Sequence, residues 1–513
     1  MHTNIQLTEL LTLASSSDTS GNAWVQLAYL VAAVMLLLGL KKLGSVKTAV
    51  RGNTISAMGM LLACALTFFL MNKGEAISLV WIGIAILIGT AAGLWLAVKT
   101  PMTGMPQMVG LLNGFGGIAS LLVAVGDFSR NFGDHQQTAE LRNTITDPGE
   151  LTTALASAGL PTQGVWLTLL AIGLASLIGG ITFTGSLVAF GKLQGLKWTP
   201  TKPIQFPGQK LIIAALLLLS LIMAAVLVVV PDAWWAVALI TVFSLVLGVL
   251  LVIGIGGGDM PVVVSLLNSY SGLAASMAGF VLQNHLLIIT GSLVGASGLI
   301  LTTIMCKAMN RSLMNVLFGG VGATVKKSAG SGDEVDRTVR EMTAEDVAIQ
   351  LEAAGMVIIV PGYGMAVAQA QHAVAGLYEL LDQRGIACRF AIHPVAGRMP
   401  GHMNVLLAEA NLPYESLCDL ETINPQFEQA GVAIVLGAND VVNPAARHDE
   451  SSPIFGMPIL DVDKANSVIV IKRSLNPGFA GIENELFFKQ NTGMLFGDGK
   501  AMITEIAKEL KDM

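Results

Sequence analysis

The residues best suited to chemistry lie in one stretch of the C-terminal part of the chain, Val357-Ile-Ile-Val-Pro-Gly-Tyr-Gly-Met-Ala-Val367. An apolar run typical of a buried strand meets a glycine turn, and the residues that follow predict a helix. Gly362 and Gly364 permit a tight turn close to a phosphate, and the helix start offers free N–H groups and a positive dipole end. Val367 stands where the usual pattern has a third glycine. The stretch predicts a dinucleotide site, and its alternative is an ordinary strand–turn–helix joint.

The charges around this stretch indicate which dinucleotide such a site would take. An NAD site usually has an Asp or Glu at the end of its second strand, but here that strand ends Phe390-Ala-Ile-His393. Lys472 and Arg473 instead follow the strand Val468-Ile-Val-Ile471, at the edge of the sheet where ligands bind. Two cations there suit the dianionic 2′-phosphate of NADP, with a solvated strand end as the alternative. The Gly-rich residues 474–481 have the composition of a lid.

The part of the chain that precedes this domain has the composition of a membrane protein. The 513 residues are 53% hydrophobic and only 12% charged, against about 25% charged in an ordinary soluble domain. The net charge of −6 gives no case for nucleic-acid binding. Spanning a bilayer takes about 20 mostly apolar residues. Nine segments qualify: roughly 23–40, 55–71, 76–98, 105–126, 165–190, 211–230, 233–255, 261–282 and 286–306.

Lys and Arg in the short loops predict the orientation of these nine spans. Eleven of them flank one side and three the other, so the positive-inside rule places the N-terminus outside and the C-terminal domain in the cytoplasm, across the inner membrane of the cell. The polar residues 1–22 show no secretory signal. The inner set is Lys41, Lys42, Lys47, Arg51, Lys99, Lys192, Lys197, Lys202, Lys210, Lys307 and Arg311, and the outer set is Lys73, Arg130 and Arg142.

Several predicted spans carry small and polar residues in place of leucine. Asn113 lies in the fourth span, Ser186 in the fifth and Asn268 in the eighth. Close helix packing explains most Ser and Thr residues, but an Asn is costlier to bury and faces a bundle interior or water. Each of the two Asn residues is therefore a candidate for a pathway, with packing as the alternative.

A proton relay needs a group that titrates near working pH, and the middle of the spans does not supply one. Asp259 follows three glycines at the cytoplasmic mouth of the eighth span, and Asp127 lies at the far edge of the fourth. His285 is expected in a solvated outer turn. The four cysteines are scattered without metal spacing and are expected to be small apolar filler.

The soluble half alternates apolar runs with helical patterns, which is typical of a parallel doubly wound sheet. A flexible linker is expected at 312–342, and Thr343 resembles an N-cap with Asp346, opening a helix to about 354. Strands are predicted at about 356–360, 388–392, 432–437 and 468–472, and helices at 364–383, 401–411, 426–430 and 499–511.

The expected fold is a multi-helix α-helical transmembrane domain of about nine helices followed by an α/β Rossmann-like doubly wound parallel-sheet domain. The predicted domains are a polar tail (1–22), the transmembrane domain (23–311), the linker (312–342) and the nucleotide domain (343–513). No Ser–His–Asp order stands out, and hydride transfer needs none because the cofactor carries the chemistry. The rivals to a redox enzyme are an ion channel or transporter gated by a cytoplasmic nucleotide-sensing domain, and a structural membrane partner with a vestigial nucleotide fold.

Together these residues resemble the β subunit of proton-translocating NAD(P) transhydrogenase over nearly the whole chain. The resemblance is carried by residues 361–371, 393–398, 401–410, Gly437-Ala-Asn-Asp440, Asn443-Pro-Ala-Ala446, Lys472-Arg-Ser474, Thr182-Phe-Thr-Gly-Ser186 and 259–272. It implies an enzyme that moves a hydride from NADH to NADP⁺, driven by inward proton flow. This chain would bind NADP(H), an α subunit of one or two chains would bind NAD(H), and the whole would be a two-fold assembly in the bilayer.

Carried over residue by residue, the resemblance assigns roles to particular positions. Lys472, Arg473 and Ser474 would bind the 2′-phosphate, and Asp440 would be the coupling carboxylate. Asn268, Ser186 and Asn113 would lie along the proton path. The implied nucleotide contacts are Gly362, Tyr363, Gly364, Met365, Ala366, Val367, Arg398, Gly437, Asn439, Asp440, Lys472, Arg473, Ser474, Gly478 and Ala480.

The sequence departs from the family at one position of the proton path. Some members have a histidine in the fourth span where this chain has Asn113. This agrees with the missing titratable group, and it leads to the hypothesis that a helix of the partner subunit supplies the histidine.

Overall fold

A computed structural model describes residues 23–43, 46–70, 76–145, 147–158, 160, 164–199, 203–318, 339–478 and 480–513. The chain divides into two compact units, one up to Trp95 and one from Leu96. In the first, α1 (Ala23–Leu43) and α2 (Val46–Leu70) pack as an antiparallel pair, and α3 (Ala76–Lys99) runs to the boundary. The pair is tied by a hydrogen bond of 2.9 Å between the hydroxyls of Tyr29 and Thr67.

The second unit opens with helices of membrane length, interrupted by two short polar ones. They are α4 (Met105–Arg130), α5 (Phe132–Thr144), α6 (Pro148–Ser157), α7 (Val165–Gln194), α8 (Gln209–Val229), α9 (Trp234–Ile253), α10 (Met260–Val281) and α11 (His285–Ala308). In the described part of the chain, eight helices are long and apolar enough to cross a membrane, and they overlap eight of the nine predicted spans. The remaining prediction, 23–40, coincides with α1.

Small residues allow these helices to approach closely, as their positions in the sequence predict. A Cβ at Gly117 of α4 would lie 2.7 Å from the carbonyl oxygen of Gly179 in α7. A Cβ at Gly298 of α11 would lie 2.7 Å from Ser269 Cα in α10, and the Ser269 hydroxyl donates to the Gly295 carbonyl at 2.7 Å. The glycines therefore set which helices are neighbours.

The polar helices α5 and α6 were not predicted, because their sequences carry no membrane signal. Asp147 caps α6 by accepting the Glu150 N–H at 2.9 Å, with Pro148 in the first turn. On α5, His135 is only 8% exposed and stacks on Phe128 with ring centroids 5.2 Å apart. Burial lowers the pKa of His135. His135 comes shortly after the C-terminal end of α4, which is the end of that helix farther from the soluble domain.

The ends of the predicted linker 312–342 are ordered. Residues Leu313–Phe318 form the short helix α12, and the Met342 N–H donates to the Met494 carbonyl at 2.9 Å. Apolar side chains explain both corrections, because Val316 and Met342 are buried. Residues 319–338, the centre of the predicted linker, lie outside the described residues.

The C-terminal domain is a six-stranded parallel sheet of order β3-β2-β1-β4-β5-β6. The four predicted strands are confirmed, while β3 and β6 were missed because one is very short and the other contains Gly493. The strands are β1 (Met356–Pro361), β2 (Ala387–Ile392), β3 (Leu417–Asp419), β4 (Val432–Leu436), β5 (Ser467–Lys472) and β6 (Thr492–Phe496).

Helices cover one face of this sheet, and short helical turns cover the other. The predicted cap is confirmed, since Thr343 and Asp346 form a capping box. The predicted helix at 426–430 is instead a 3-10 turn, Asn424–Gln429, with Pro425 in its first turn. The α-helices are α13 (Ala344–Glu352), α14 (Tyr363–Val367), α15 (Gln371–Gln383), α16 (His402–Glu409), α17 (Leu420–Ile423), α18 (Ala445–His448) and α19 (Gly499–Asp512).

Candidate nucleotide site and its contact with the membrane helices

A cleft of about 970 Å³ lies at the carboxyl edge of the sheet; we call it the edge cleft. It opens where β1 and β4 are neighbours and the chain leaves them in opposite directions, which is where doubly wound sheets bind ligands. Its volume is within the range of small-molecule sites. One wall belongs to the membrane helices, through Pro203, residues 256–259, Met309 and Arg311.

Gly362 and Gly364 lie in the edge cleft, but they serve a purpose that the sequence did not reveal. The Gly362 N–H donates to the Leu436 carbonyl and the Gly364 N–H to the Gly437 carbonyl, both at 2.9 Å. A Cβ at Gly364 would lie 2.6 Å from Gly437 Cα. These two N–H groups are therefore engaged with the loop after β4, so the Gly364 N–H is not among the free N–H groups expected at the start of the helix.

The predicted helix 364–383 is broken. Gln369 adopts a left-handed φ of 50°, so α14 ends after five residues and α15 starts at Gln371. The break lets α15 turn its apolar face onto the sheet, and it leaves α14 with too short a dipole to hold a phosphate alone. Met365 and Ala366 are fully buried in the core, so only Tyr363 and Val367 of this segment bring side chains to the edge cleft.

Lys472, Arg473 and Ser474 line the edge cleft at the end of β5, as their position after the strand predicts. The Lys472 ammonium donates to the Asn476 carbonyl and lies 4.8 Å from the centroid of the Phe487 ring. Burial lowers the pKa of Lys472, and the nearby Asp440 carboxylate opposes this. Arg473 is exposed. The three residues form a cationic corner with a hydroxyl beside it.

In the segment predicted to be a lid, Gly478 and Ala480 lie against Asp440. Ala480 donates its N–H to Asp440 Oδ2 at 3.0 Å. A Cβ at Gly478 would lie 2.6 Å from Asn439 Nδ2 and 2.9 Å from Asp440 Cγ, so only glycine fits. Asn439 Nδ2 is buried with no hydrogen-bond partner among the described residues, which leaves a donor for a ligand. Gly437 begins this loop with a left-handed φ of 68°.

Arg398 lies beside the edge cleft, whose wall its neighbours Val395, Ala396 and Gly397 form. Its guanidinium carbon stands 4.3 Å from the centroid of the Tyr363 ring. Its Nη1 donates to the Leu193 carbonyl of α7 at 2.8 Å, a contact the sequence could not predict.

Two buried histidines shape the loop that carries Arg398. His393 Nδ1 accepts the Val395 N–H at 3.2 Å, so Nε2 holds the proton and donates to the Pro458 carbonyl at 2.7 Å. His402 Nδ1 accepts the Arg398 N–H at 3.1 Å. Burial lowers the pKa of both histidines to about 4, helped at His402 by the Arg398 charge. Both rings are therefore neutral at neutral pH.

The structure brings two of the three polar pathway candidates together. Asn113 is 7% exposed and its Nδ2 donates to the Val264 carbonyl of α10 at 3.4 Å. Ser186 is fully buried next to Gly114, where a Cβ would lie 3.1 Å from the Ser186 Cβ. Asn268 is half-buried on α10, one turn after Val264.

An ion pair at the membrane wall of the edge cleft was not predicted from the sequence. Arg311 Nη1 contacts both carboxylate oxygens of Asp259, at 2.7 and 2.8 Å. Both residues line the edge cleft. Little in the sequence indicates this pair. Asp259 and Arg311 both flank spans on the predicted cytoplasmic side, but 52 residues separate them.

The chain joins helices of membrane length to a doubly wound sheet whose edge cleft carries cations. These features define a polytopic membrane protein with a domain of the nucleotide-binding class. A family model described as NAD(P) transhydrogenase beta subunit matches residues 25–509. The chain is 48% identical over 483 residues to the NAD(P) transhydrogenase subunit beta of Rhodospirillum rubrum, covering 94% of this chain and 98% of the relative. A sequence of the same description from a named strain of that species matches equally. The chain belongs to the NAD(P) transhydrogenase beta subunit family.

Membership confirms the resemblance found in the sequence. The family couples hydride transfer between nicotinamide nucleotides to proton translocation, and the beta subunit works with an alpha subunit. The chain is thus a multi-pass membrane subunit of an oxidoreductase. A channel gated by a nucleotide sensor is not favoured.

Proposed function

We propose that this chain binds NADP(H), that the alpha subunit binds NAD(H), and that hydride passes from NADH to NADP⁺ as protons move inward. The observation that carries the proposal is the cationic corner of Lys472 and Arg473 in the edge cleft, together with a β2 end that lacks a carboxylate. Cations there suit a 2′-phosphate, whereas a carboxylate at the second strand suits an unphosphorylated ribose.

The residues of the edge cleft fit such a dinucleotide. NADP(H), when bound, supplies the hydride donor or acceptor. Lys472, Arg473 and Ser474 would hold the 2′-phosphate, and the unpartnered Asn439 amide offers a further donor. The covering segment 474–481, held by Asp440, would exclude water from the nicotinamide. Gly362, Tyr363, Gly364, Val367, Gly437, Gly478 and Ala480 would form the walls, with Met365 and Ala366 supporting them from the core.

Asn113, Ser186 and Asn268 are proposed to lie on the proton path, with Asp440 as the carboxylate that links it to the nucleotide. Ser186 supports this, since its hydroxyl is buried without a partner among the described residues and is available to a water or to a partner's side chain. The titrating histidine would come from a transmembrane helix of the alpha subunit. Sequencing that partner tests the idea, and a partner with no histidine in its helices would refute it.

The proposed setting is the inner membrane, with the N-terminus outside, an alpha subunit of one or two chains, and a two-fold assembly. A membrane potential is worth about 2.3 kcal/mol per charge per 100 mV, so roughly 150 mV supplies about 3.5 kcal/mol per proton. That energy shifts a hydride equilibrium by a few hundredfold. One proton per hydride is therefore enough to drive the reaction usefully.

Reconstitution tests the proposal as a whole. The chain and its alpha-type partner would be placed in vesicles, and hydride exchange and proton uptake would be recorded together. We expect uptake that stops when either nucleotide is left out. Tight NADPH binding without hydride exchange would favour a nucleotide sensor and contradict the enzyme.

A further inference from the structure

The inner end of α7 meets the nucleotide domain at one backbone oxygen. Arg398 Nη1 donates to the Leu193 carbonyl at 2.8 Å, and Gln107 Nε2 from the start of α4 donates to the same oxygen at 3.3 Å. The last carbonyls of a helix lack partners within the helix and carry its negative dipole end. A guanidinium is the side chain best suited to such an oxygen, so this contact joins the two parts of the chain.

The same guanidinium also touches the turn of the edge cleft. Arg398 lies over the Tyr363 ring, which stands between the two glycines of that turn. The loop has little freedom, because Gly397 has a left-handed φ of 111° and a Cβ there would lie 2.7 Å from His402 Cβ. The backbone bond from Arg398 to His402 fixes the loop further. Arg398 is thus held between the cleft wall and the end of α7.

The end of α7 is in turn bonded to the backbone at the end of α9. The buried Lys192 ammonium donates to the carbonyls of Ile253 and Ile255, both at 2.7 Å, just before the glycines that line the edge cleft. Ser186 lies seven residues before Leu193, about 10 Å along the helix axis. A helix moves as a rigid rod over that length, so a shift at Leu193 reaches Ser186.

We propose that Arg398 is a positioning residue that couples nucleotide occupancy to α7. In the structure its guanidinium bonds the Leu193 carbonyl. A dinucleotide bound in the edge cleft would bring phosphate oxygens near Tyr363, which lines the cleft. A guanidinium binds an anionic phosphate oxygen more strongly than it binds a neutral carbonyl oxygen. Arg398 then turns to the nucleotide and releases the end of α7. Coupling of this kind is reciprocal, so a change in the proton path alters nucleotide affinity. The proposal rests on the proposed binding of NADP(H) in the edge cleft.

The test uses the chain assembled with its alpha-type partner in vesicles at saturating NADP(H). The quantity measured is the ratio of the hydride-transfer rate with an imposed proton gradient to the rate without one, which divides out any change in basal activity. We expect Arg398→Gln to reduce this ratio by about tenfold, a typical size for coupling between sites. Arg398→Lys, which keeps one charged donor, should recover part of it. Lys472→Ala is the matched control, because it should weaken NADP(H) binding and keep the wild-type ratio.

A double-mutant cycle with Gln107→Ala asks whether the effect passes through the Leu193 carbonyl. Arg398 and Gln107 share that oxygen, so the effects of the two substitutions on the ratio should be non-additive. Strict additivity would overturn the assignment to α7. A wild-type ratio in Arg398→Gln, with only a raised Kd for NADPH, would make Arg398 an ordinary nucleotide ligand and would overturn the proposal as well.

Hydrogen exchange in the unmutated assembly gives a second measurement that no folding defect can obscure. NADPH should speed amide exchange at residues 191–196, where α7 ends, and unchanged exchange there would also contradict the proposal. Measurements on the wild-type assembly distinguish a failure of this proposal from a failure of the proposed function. If the assembly neither binds NADPH nor exchanges hydride, the proposed function fails before any variant is compared.

Discussion

At the residue scale, Lys472 has the clearest role. Its ammonium lies in the edge cleft, where its hydrogen-bond acceptor among the described residues is a neutral backbone carbonyl and it faces the Phe487 ring. A phosphate dianion would be a better partner than that carbonyl, because it adds attraction between opposite full charges to the hydrogen bond. The residue is therefore positioned to exchange an internal bond for one to a ligand.

Replacing both cations should separate NADP from NAD. We expect the double variant Lys472→Ala, Arg473→Ala to lose about 100-fold in NADPH affinity, from about 3 kcal/mol of charged hydrogen bonds. Binding of NADH, which lacks the 2′-phosphate, should change little. Titration calorimetry on the full chain measures both, with the exposed Lys508→Ala as control. An equal loss for the two nucleotides would argue against the 2′-phosphate assignment.

The buried pair His393 and His402 should make the loop of Arg398 sensitive to acid. Their pKa of about 4 lies below the value of 6.5 expected in an unfolded chain. The unfolded state therefore binds more protons between pH 6.5 and 4, and stability falls as the pH falls through that window and then levels off. Each histidine contributes up to about 3 kcal/mol of this loss.

Hydrogen exchange of peptides from residues 387–409 would measure this loss in the full chain. His402→Gln should flatten the pH dependence, because glutamine does not titrate. A slope that persists unchanged in that variant would assign it to other groups.

From the sequence alone, the positions of single residues in the fold could be predicted better than their bonding partners. Lys472 and Arg473 follow a strand, and a strand end has a known position in a parallel sheet. Arg398 bonds a carbonyl 205 residues away, and backbone oxygens leave no trace in a sequence. The two glycines of the turn line the edge cleft, but their N–H groups bond the loop after β4, which only the folded chain reveals.

At the scale of helices, the crossing of α4 and α7 depends on glycines. Gly117 and Gly179 face each other closely, and Thr182 Cβ would lie 2.7 Å from a Cβ at Gly117. Asn113 lies one turn before Gly117 on α4, and Ser186 one turn after Thr182 on α7. The crossing therefore fixes the distance between two proposed residues of the proton path.

A methyl group at this crossing should destabilise the membrane part. We expect Gly117→Ala to cost about 1–3 kcal/mol through overpacking and to lower the Tm of the full chain in detergent. Gly126→Ala on the same helix is the matched control, because a Cβ there meets nothing within 4 Å. Equal Tm values for the two variants would show that the crossing tolerates expansion.

The covering segment 474–481 depends on Asp440 as its acceptor. Asp440→Ala removes the oxygen that accepts the Ala480 N–H, so we expect NADPH to dissociate about tenfold faster, the equivalent of one net hydrogen bond. Asp440→Asn keeps an acceptor oxygen and should retain the wild-type off-rate in a stopped-flow chase, while it loses any proton coupling by the carboxylate. A fast off-rate in both variants would show that charge, and not the hydrogen bond, holds the segment.

Elements were predicted well where a pattern was long. The four main strands and the apolar helices follow from runs that leave no other state. The helix was predicted to run unbroken over 364–383 because Ala and Gln favour helix locally, whereas packing of α15 on the sheet requires the left-handed turn at Gln369. The polar helices α5 and α6 were not predicted because they lack the long apolar runs that mark a membrane span.

At the scale of the whole molecule, the edge cleft faces membrane helices on one side. Gln107 at the start of α4 contacts the end of α7 that Arg398 bonds, whereas α5 follows the opposite end of α4. If α4 spans the bilayer, as its length and composition predict, we expect the nucleotide domain and α5 on opposite sides of it.

Cysteine labelling tests this arrangement and the predicted orientation together. In a chain freed of its own four cysteines, Gln137→Cys on α5 and Ser451→Cys in the nucleotide domain are both exposed sites. A membrane-impermeant thiol reagent added to intact cells should label residue 137 and leave 451 unlabelled until the cells are opened. The reverse pattern would invert the topology and with it the direction of proton flow.

The residues just after α7 include a tryptophan whose fluorescence can be used to measure a distance. All seven tryptophans precede residue 236, so the nucleotide domain emits no tryptophan fluorescence of its own. Trp198 stands five residues beyond Leu193, 61% exposed, and Pro203 a little further on lines the edge cleft. Reduced nicotinamide absorbs where tryptophan emits, so in a chain that keeps Trp198 and has the other six tryptophans replaced, energy transfer would report how close a bound NADPH lies to residue 198. Trp198 would thus serve as an intrinsic fluorescence donor for this distance, with no added dye.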